Sequence, residues 1–202
     1  MKGLKLIGCV FEVSVFADPS GAITTAAALM ACVEHQLQKK SGESLSKKRI
    51  DIIGGTGPVG VCAGILAANC GATVYLTSRR GAKVATEYAS EYNARFGVDI
   101  LGADSSTEEK VMEFLPETNI VIGAAKAGIQ ILSKRQLSEA ENLLVAADVN
   151  AVPPVGIEGV GINDMGVDLP ETPQNAIGLG ALAIGDVKYK LHLKLFEMMK
   201  NA

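Results

Sequence analysis

Three glycines at fixed spacing, Gly55-x-Gly57-x-x-Gly60, follow the apolar stretch Ile50-Asp-Ile-Ile53 and lead into an apolar, helix-forming run over residues 61–68. The chemistry this suits is the holding of a dinucleotide pyrophosphate. The first glycine permits a tight turn, the second lets the backbone approach the phosphates, and the third lets the helix pack against its strand. Unpaired N–H groups at the helix start then face phosphate oxygens, where the helix dipole favours negative charge. Gly55, Thr56, Gly57, Pro58, Val59 and Gly60 form this candidate cradle, and Pro58 stands where a missing N–H costs little. About 20 residues further on, where NAD-binding chains place an acid for the ribose 2′-hydroxyl, this chain has Ser78-Arg79-Arg80. One hydroxyl and two guanidinium groups suit a 2′-phosphate, because arginine offers phosphate oxygens a rigid fork of donors. The expected cofactor is therefore NADP.

Such a cradle works only at the end of a strand, and the hydrophobic pattern supplies one. Strands are expected over residues 49–54, 72–77, 98–102, 119–124 and 143–149, alternating with helices over 61–69, 81–96, 107–114 and 133–141. The alternation implies a parallel sheet covered by helices on both faces. A strand over residues 6–16, the turn Asp18-Pro-Ser-Gly21 and an alanine-rich helix over 24–38 precede it. Residues 152–180 are rich in proline and glycine and read as loops, and a last helix carries Val187, Leu191, Leu195 and Met198 on one face. The fold class expected is α/β: a Rossmann-type parallel sheet flanked by helices, with a partial N-terminal strand-helix unit and a C-terminal helix that crosses back. Gly123-Ala-Ala-Lys-Ala-Gly128 follows a strand, and its small residues, Ala124 and Ala125 among them, let backbone approach a nucleotide. Lys126 could there meet a phosphate, a ribose hydroxyl or an acidic tail of the substrate, or it could be an ordinary exposed loop lysine.

Composition narrows the function class. Of 202 residues, 48% are hydrophobic and 20% charged, the balance of a globular chain rather than a disordered one. A net charge of -3 argues against a broad nucleic-acid surface, so no nucleic-acid partner is expected. Cys9, Cys32, Cys62 and Cys70 form no metal-ligand spacing, and His35 and His192 stand far apart, so no metal is expected. Thiols used as small apolar residues point to a reducing compartment, the cytoplasm. The residues before Asp18 look superficially like a signal peptide, but Glu12 interrupts the apolar run, and no stretch reaches the roughly 18 apolar residues of a membrane span.

Four blocks carry a more specific likeness: Asp18-Pro-Ser-Gly-Ala-Ile-Thr-Thr-Ala-Ala-Ala28, Gly55-Thr-Gly-Pro-Val-Gly60, Asp148-Val-Asn-Ala-Val-Pro-Pro-Val-Gly-Ile-Glu-Gly159 and Gly178-Leu-Gly-Ala-Leu-Ala-Ile-Gly-Asp-Val-Lys-Tyr-Lys-Leu-His192. In this order they resemble the NADP-dependent methylene-tetrahydromethanopterin dehydrogenases of one-carbon metabolism. The resemblance runs from Phe11 to the C-terminus and implies hydride transfer between a methylene-tetrahydropterin and NADP. It also implies a homo-oligomer, a trimer among the options, and a further N-terminal region that helps form the pterin cleft and is largely absent here. Residues 1–46 would then be a remnant of the N-terminal catalytic domain with its connecting helix, 47–180 the NADP-binding domain, and 181–202 the C-terminal helix.

Hydride transfer needs orientation and charge stabilisation rather than side-chain proton transfer. On that logic Asp148, at a strand end, is the first candidate for stabilising the developing cation, with Asn150 beside it for the nicotinamide carboxamide or a polar pterin edge. The same two residues could instead cap the loop before Pro153. Lys188 and Lys190 are candidate substrate-facing lysines, and Asp18, Thr24 and Thr25 candidate substrate contacts, with helix capping as the threonines' other role. Glu158 could bind pterin or close a turn. Two other functions fit: a non-catalytic NADP-binding module or piece of a split enzyme, and an NADP-dependent dehydrogenase of another small molecule.

Overall fold

In the computed structural model, which describes residues 15–200, a seven-stranded sheet carries the chain in the order β3-β2-β1-β4-β5-β7-β6. The strands are β1 (Arg49–Ile53), β2 (Thr73–Ser78), β3 (Ile100–Asp104), β4 (Ile120–Gly123), β5 (Val145–Asp148), β6 (Met165–Leu169) and β7 (Ala176–Leu179). The helices are α1 (Ala22–Ser41), α2 (Pro58–Asn69), α3 (Ala82–Phe96), α4 (Glu108–Phe114), the single turn α5 (Lys134–Leu137) and α6 (Ala181–Lys200). All neighbouring strands are parallel except β6 and β7. The strand expected over 6–16 lies outside the described residues apart from Val15 and Phe16, which are not in a strand, and Cys9 lies outside as well.

The central strands show why the pattern was readable. Residues of β4, β5 and β7 are all buried, and β1 is buried from Ile50 onward, as expected of parallel strands covered on both faces. Chain order reverses between β1 and β4: from β1 the chain moves outward through β2 to β3, then returns to lay β4 on the other side. That reversal opens a crevice beyond the carboxyl ends of the strands.

Helix α2 starts on Pro58 after the extended Gly57 and packs its small residues, Gly60, Ala63, Gly64 and Ala67, tightly on the sheet. A Cβ on Gly64 would lie 3.0 Å from the Leu76 side chain, so glycine lets the helix sit this low without displacing that leucine. Helix α1 lies over α2 and buries Ala26, Leu29, Val33 and Leu37. Gly42, left-handed at φ 71°, ends it. The Lys47 amide then donates to the carbonyl of Gly71, just past the end of α2, at 2.8 Å. The C-terminal ends of α1 and α2 thus meet at the edge where β1 begins, and the first residues of α1, about 30 Å away, lie toward the crevice.

Three expectations are corrected. Residues 152–180 contain β6 and β7, whose hairpin is held by Thr172: its hydroxyl donates to Leu169 O at 2.8 Å and accepts from the Ala176 amide at 2.6 Å. Short strands carrying Gly166 and Gly178 give too little apolar pattern to register. The helix expected over 133–141 stops after one turn, started by a Ser133–Gln136 capping box, because the chain then turns twice to bury Ala140 and Leu143. Helix α6 buries only Ala183 and Ile184 and then contacts α1; of the expected apolar face Val187, Leu191 and Leu195 are half-buried, but Met198 is 57% exposed and does not share it.

Candidate functional site

The glycine cradle occupies the crevice. Gly54 is left-handed at φ 78°, and a Cβ there would lie 2.5 Å from the Ala125 Cα, so the loops after β1 and β4 touch backbone to backbone. A Cβ on Gly60 would lie 2.7 Å from the Gly55 Cα, which is the close helix–strand approach expected of the third glycine. Gly57 differs, since a Cβ there would meet nothing nearer than the Gly54 carbonyl at 3.4 Å. Its position at the mouth, with Thr56 and Pro58, faces a groove of about 770 Å³ that also reaches Ser78, Arg79, Arg80, Ala124, Ala125 and Lys126. Gly55, Val59 and Gly60 do not line this groove; Val59 packs against the core behind it.

Around the end of β2, Ser78 is buried and its hydroxyl accepts the Arg80 amide at 3.1 Å, which shapes the turn that presents both arginines. Arg79 and Arg80 are exposed, and the Arg80 guanidinium lies 5.7 Å from the Tyr88 ring centroid. A second cavity of about 330 Å³ shares Ile53, Arg79, Ser106 and Ile131 with the groove and continues it between the turn after β3 and the loop after β4. Ser105, Ser106, Thr107 and Ile131 were missed by sequence reasoning. Their signal was position alone, a polar turn after Asp104 at the same sheet end as the cradle. Glycines at the points of contact, a groove at the crevice and two exposed guanidiniums beside it together fit a dinucleotide with a 2′-phosphate.

Asp148 and Asn150 lie at the carboxyl end of β5, buried and outside the linings of both cavities. Asp148 is buried, and its carboxylate accepts three amides: Asn150 at 3.0 Å, Gly156 at 2.7 Å and Ile157 at 3.1 Å. Burial pushes its carboxyl above the ordinary value, outweighing those three amides, which act in the opposite sense. Asn150 accepts from the Gly128 and Val152 amides at 3.2 and 2.9 Å and donates to Pro154 O at 2.8 Å, tying the loop after β4 to the loop after β5. Both side chains are engaged in holding backbone. Asp148→Asn sets an amide N–H₂ against backbone donors and should cost about 1–3 kcal/mol of stability, measured by chemical unfolding; an unchanged midpoint would show that the loop is held some other way. Glu158 also ties loops, accepting from the Lys134 amide at 2.9 Å.

A second polar cluster forms where α1 begins and α6 passes. The Thr24 hydroxyl lies 2.5 Å from Asp18 Oδ2 and 2.7 Å from His192 Nε2, and His192 Nε2 is 3.4 Å from Asp18 Oδ2. Asp18 Oδ1 accepts the Ile23 amide at 2.9 Å. Burial pushes the Asp18 carboxyl up, but the bonds from Thr24, the Ile23 amide and His192 outweigh it and hold it below the ordinary 3.8. A Cβ on Gly21 would lie 2.5 Å from Lys188 Nζ, so that ammonium lies against the turn that follows Asp18. The Cys62 thiol on α2 is pushed up by burial and further by the Asp18 charge, which places the cluster beside the start of α2. The structure thus gathers Asp18, Thr24 and Lys188 with His192, a partner that sequence reasoning did not supply. Thr25 donates back to Gly21 O at 2.6 Å, and Lys190 is exposed elsewhere on α6. Arg49 sits at the opposite end of the sheet, paired with Asp51 and Glu117.

Among the described residues no three His, Cys, Asp or Glu side chains gather as a metal site, and no helix is long and apolar enough to cross a membrane. No family model matches the chain. Two curated proteins of Methylorubrum extorquens are similar to it: NAD(P)-dependent methylenetetrahydromethanopterin dehydrogenase, 38% identical over 188 residues, and the bifunctional protein MdtA, 35% identical over 191. Each alignment covers 93% of this chain and 63% of the relative, so the chain spans less than two thirds of the relatives' length. Among solved structures, the transhydrogenase of Sinorhizobium meliloti matches 89% of this chain and 56% of its own with a TM-score of 0.57 at 16% identity, a likeness of fold.

Proposed function

We propose that this chain, a homologue of NAD(P)-dependent methylenetetrahydromethanopterin dehydrogenase across 93% of its own length, is an NADP-dependent oxidoreductase acting on a methylene-tetrahydropterin, tetrahydromethanopterin or tetrahydrofolate. The observation that carries the cofactor is the groove at the β1/β4 reversal, with Gly57 at its mouth and Arg79 and Arg80 at its side. NADP held there would supply the hydride acceptor, taking a hydrogen with its electron pair from the methylene bridge and leaving a methenyl cation.

The chain's own contribution is placement and charge. The amides at the start of α2 and the Thr56 hydroxyl hold phosphate, and the two arginines take the 2′-phosphate. The loops after β4 and β5, locked by Asp148 and Asn150, form the rigid lip against which the reacting rings stack. A carboxylate that remains ionised and is not enclosed by amides suits the developing cation better than Asp148 does. Asp18 is that carboxylate in this reading, with Lys188 beside it for a carbonyl or acidic group of the substrate. A homo-oligomer belongs to the same proposal, and Leu182, Tyr189, Leu193 and Phe196, all at least 46% exposed on α6, offer apolar surface for it. So does a cytoplasmic location, suited to the free thiols of Cys32, Cys62 and Cys70.

The test is absorbance of NADPH when the chain is mixed with NADP and methylene-tetrahydromethanopterin, with methylene-tetrahydrofolate in parallel. NADPH formation is expected with one of them. Binding of NADP without turnover of either would favour a nucleotide-binding module or one part of a split enzyme.

A further inference from the structure

The Thr24 hydroxyl has one proton to donate and lies within bonding distance of two groups, Asp18 Oδ2 and His192 Nε2. An ionised carboxylate only accepts, so the Thr24 proton points to Asp18, and the 2.7 Å contact on the other side requires a proton on His192 Nε2. We propose that His192 is a positioning residue of the pterin site: its Nε2–H fixes the Thr24 hydroxyl, which in turn sets the rotamer of the Asp18 carboxylate.

The inference rests on the proposed dehydrogenase reading. It adds a residue from the far end of the chain, 168 positions from Thr24, to the group that this reading sets against the substrate. The arrangement has a mechanical reason. Asp18 precedes α1 on a short 3-10 turn with Ser20 left-handed at φ 56°, a segment with little packing of its own. Both oxygens are held locally, Oδ1 by the Ile23 amide and Oδ2 by the Thr24 hydroxyl, but that hydroxyl is in turn held by His192, on a helix that arrives from the other end of the sequence. His192 is itself steadied by Phe196 one turn on, with ring centroids 6.5 Å apart. A cation that develops beside it therefore meets a carboxylate whose direction is already set, and no reorientation is needed during reaction.

Glutamine carries an amide nitrogen near the place of histidine Nε2 and can still donate to Thr24; leucine fills similar space and cannot. His192→Leu should raise the KM for the methylene-tetrahydropterin by about 3- to 10-fold, the loss expected for one hydrogen bond, with NADP affinity unchanged, and His192→Gln should recover most of that loss. A KM unmoved by leucine, or a glutamine variant no better than leucine, would overturn the proposal. A second measurement is independent of turnover. The chain has two histidines, and His35 lies on an exposed turn of α1, so ¹H–¹⁵N spectra of the rings are assignable with one His35→Gln variant. The neutral His192 ring should carry its proton on Nε2 in slow exchange with water, and Thr24→Val should speed that exchange. A ring with its proton on Nδ1 and none on Nε2, or exchange indifferent to Thr24, would overturn the relay. Should neither pterin turn over, the functional reading fails, and the relay is decided by these spectra alone.

Discussion

Gly57→Val should leave the thermal midpoint of the chain within a degree or two and weaken NADP binding by about 100-fold or more, because it denies a pyrophosphate close approach to the backbone. Gly57 has φ -79° and ψ 164°, extended values that valine adopts readily. A Cβ there would stand 3.4 Å from the Gly54 carbonyl and 3.8 Å from that of Ala124, ordinary contacts that the folded chain tolerates. Nothing in the packing around residue 57 therefore requires a glycine; in the proposed reading the bound pyrophosphate does. Gly60→Ala provides the contrast. Its Cβ would press on Gly55 at 2.7 Å, pushing α2 off β1, and the cost of such overpacking is about 1–3 kcal/mol. Thermal melts and an NADP titration on both variants separate the roles. Undiminished NADP binding by Gly57→Val would remove the pyrophosphate from this cradle.

The contrast between these glycines shows what was legible in the sequence and what was not. The spacing of Gly55, Gly57 and Gly60 located the cradle, but only the packed structure separates the glycine that serves the fold from the one that faces the groove. Strands such as Ile120–Gly123 were readable because burial on both faces writes an unbroken apolar run. The β6–β7 hairpin was not, because its register is held by the Thr172 hydroxyl and its strands are short and glycine-bearing. Asp148 was placed correctly at a strand end, yet its donors come from Asn150, Gly156 and Ile157, in a loop whose path no periodicity encodes. His192 was hidden for a similar reason. Its partner lies on α1, and the two meet only because α1 and α6 pack together at one end of the sheet.

Replacing Arg79 and Arg80 together with alanine should weaken NADP by about 100-fold while moving NAD by no more than about 3-fold, since two charge-assisted contacts to one phosphate are removed. The turn carries no carboxylate to hold a ribose 2′-hydroxyl, and Ser78 already uses its oxygen to accept the Arg80 amide. The guanidiniums are exposed, so the preference should itself fall as salt rises and screens them, which measurement of both dissociation constants at low and high ionic strength will show. The two arginines are not equivalent. Arg79 borders both the groove and the cavity that continues it, whereas Arg80 lies over the Tyr88 ring and is partly steadied there. Arg79→Ala alone should therefore also weaken NAD slightly, by loosening the adenosine end, while Arg80→Ala should act on NADP only. The related dehydrogenase of Methylorubrum extorquens is named NAD(P)-dependent, so cofactor choice is a property each chain must set locally. Equal weakening of both cofactors by the double substitution would move the arginines from the ribose phosphate to the shared pyrophosphate and leave NADP preference without a residue to carry it.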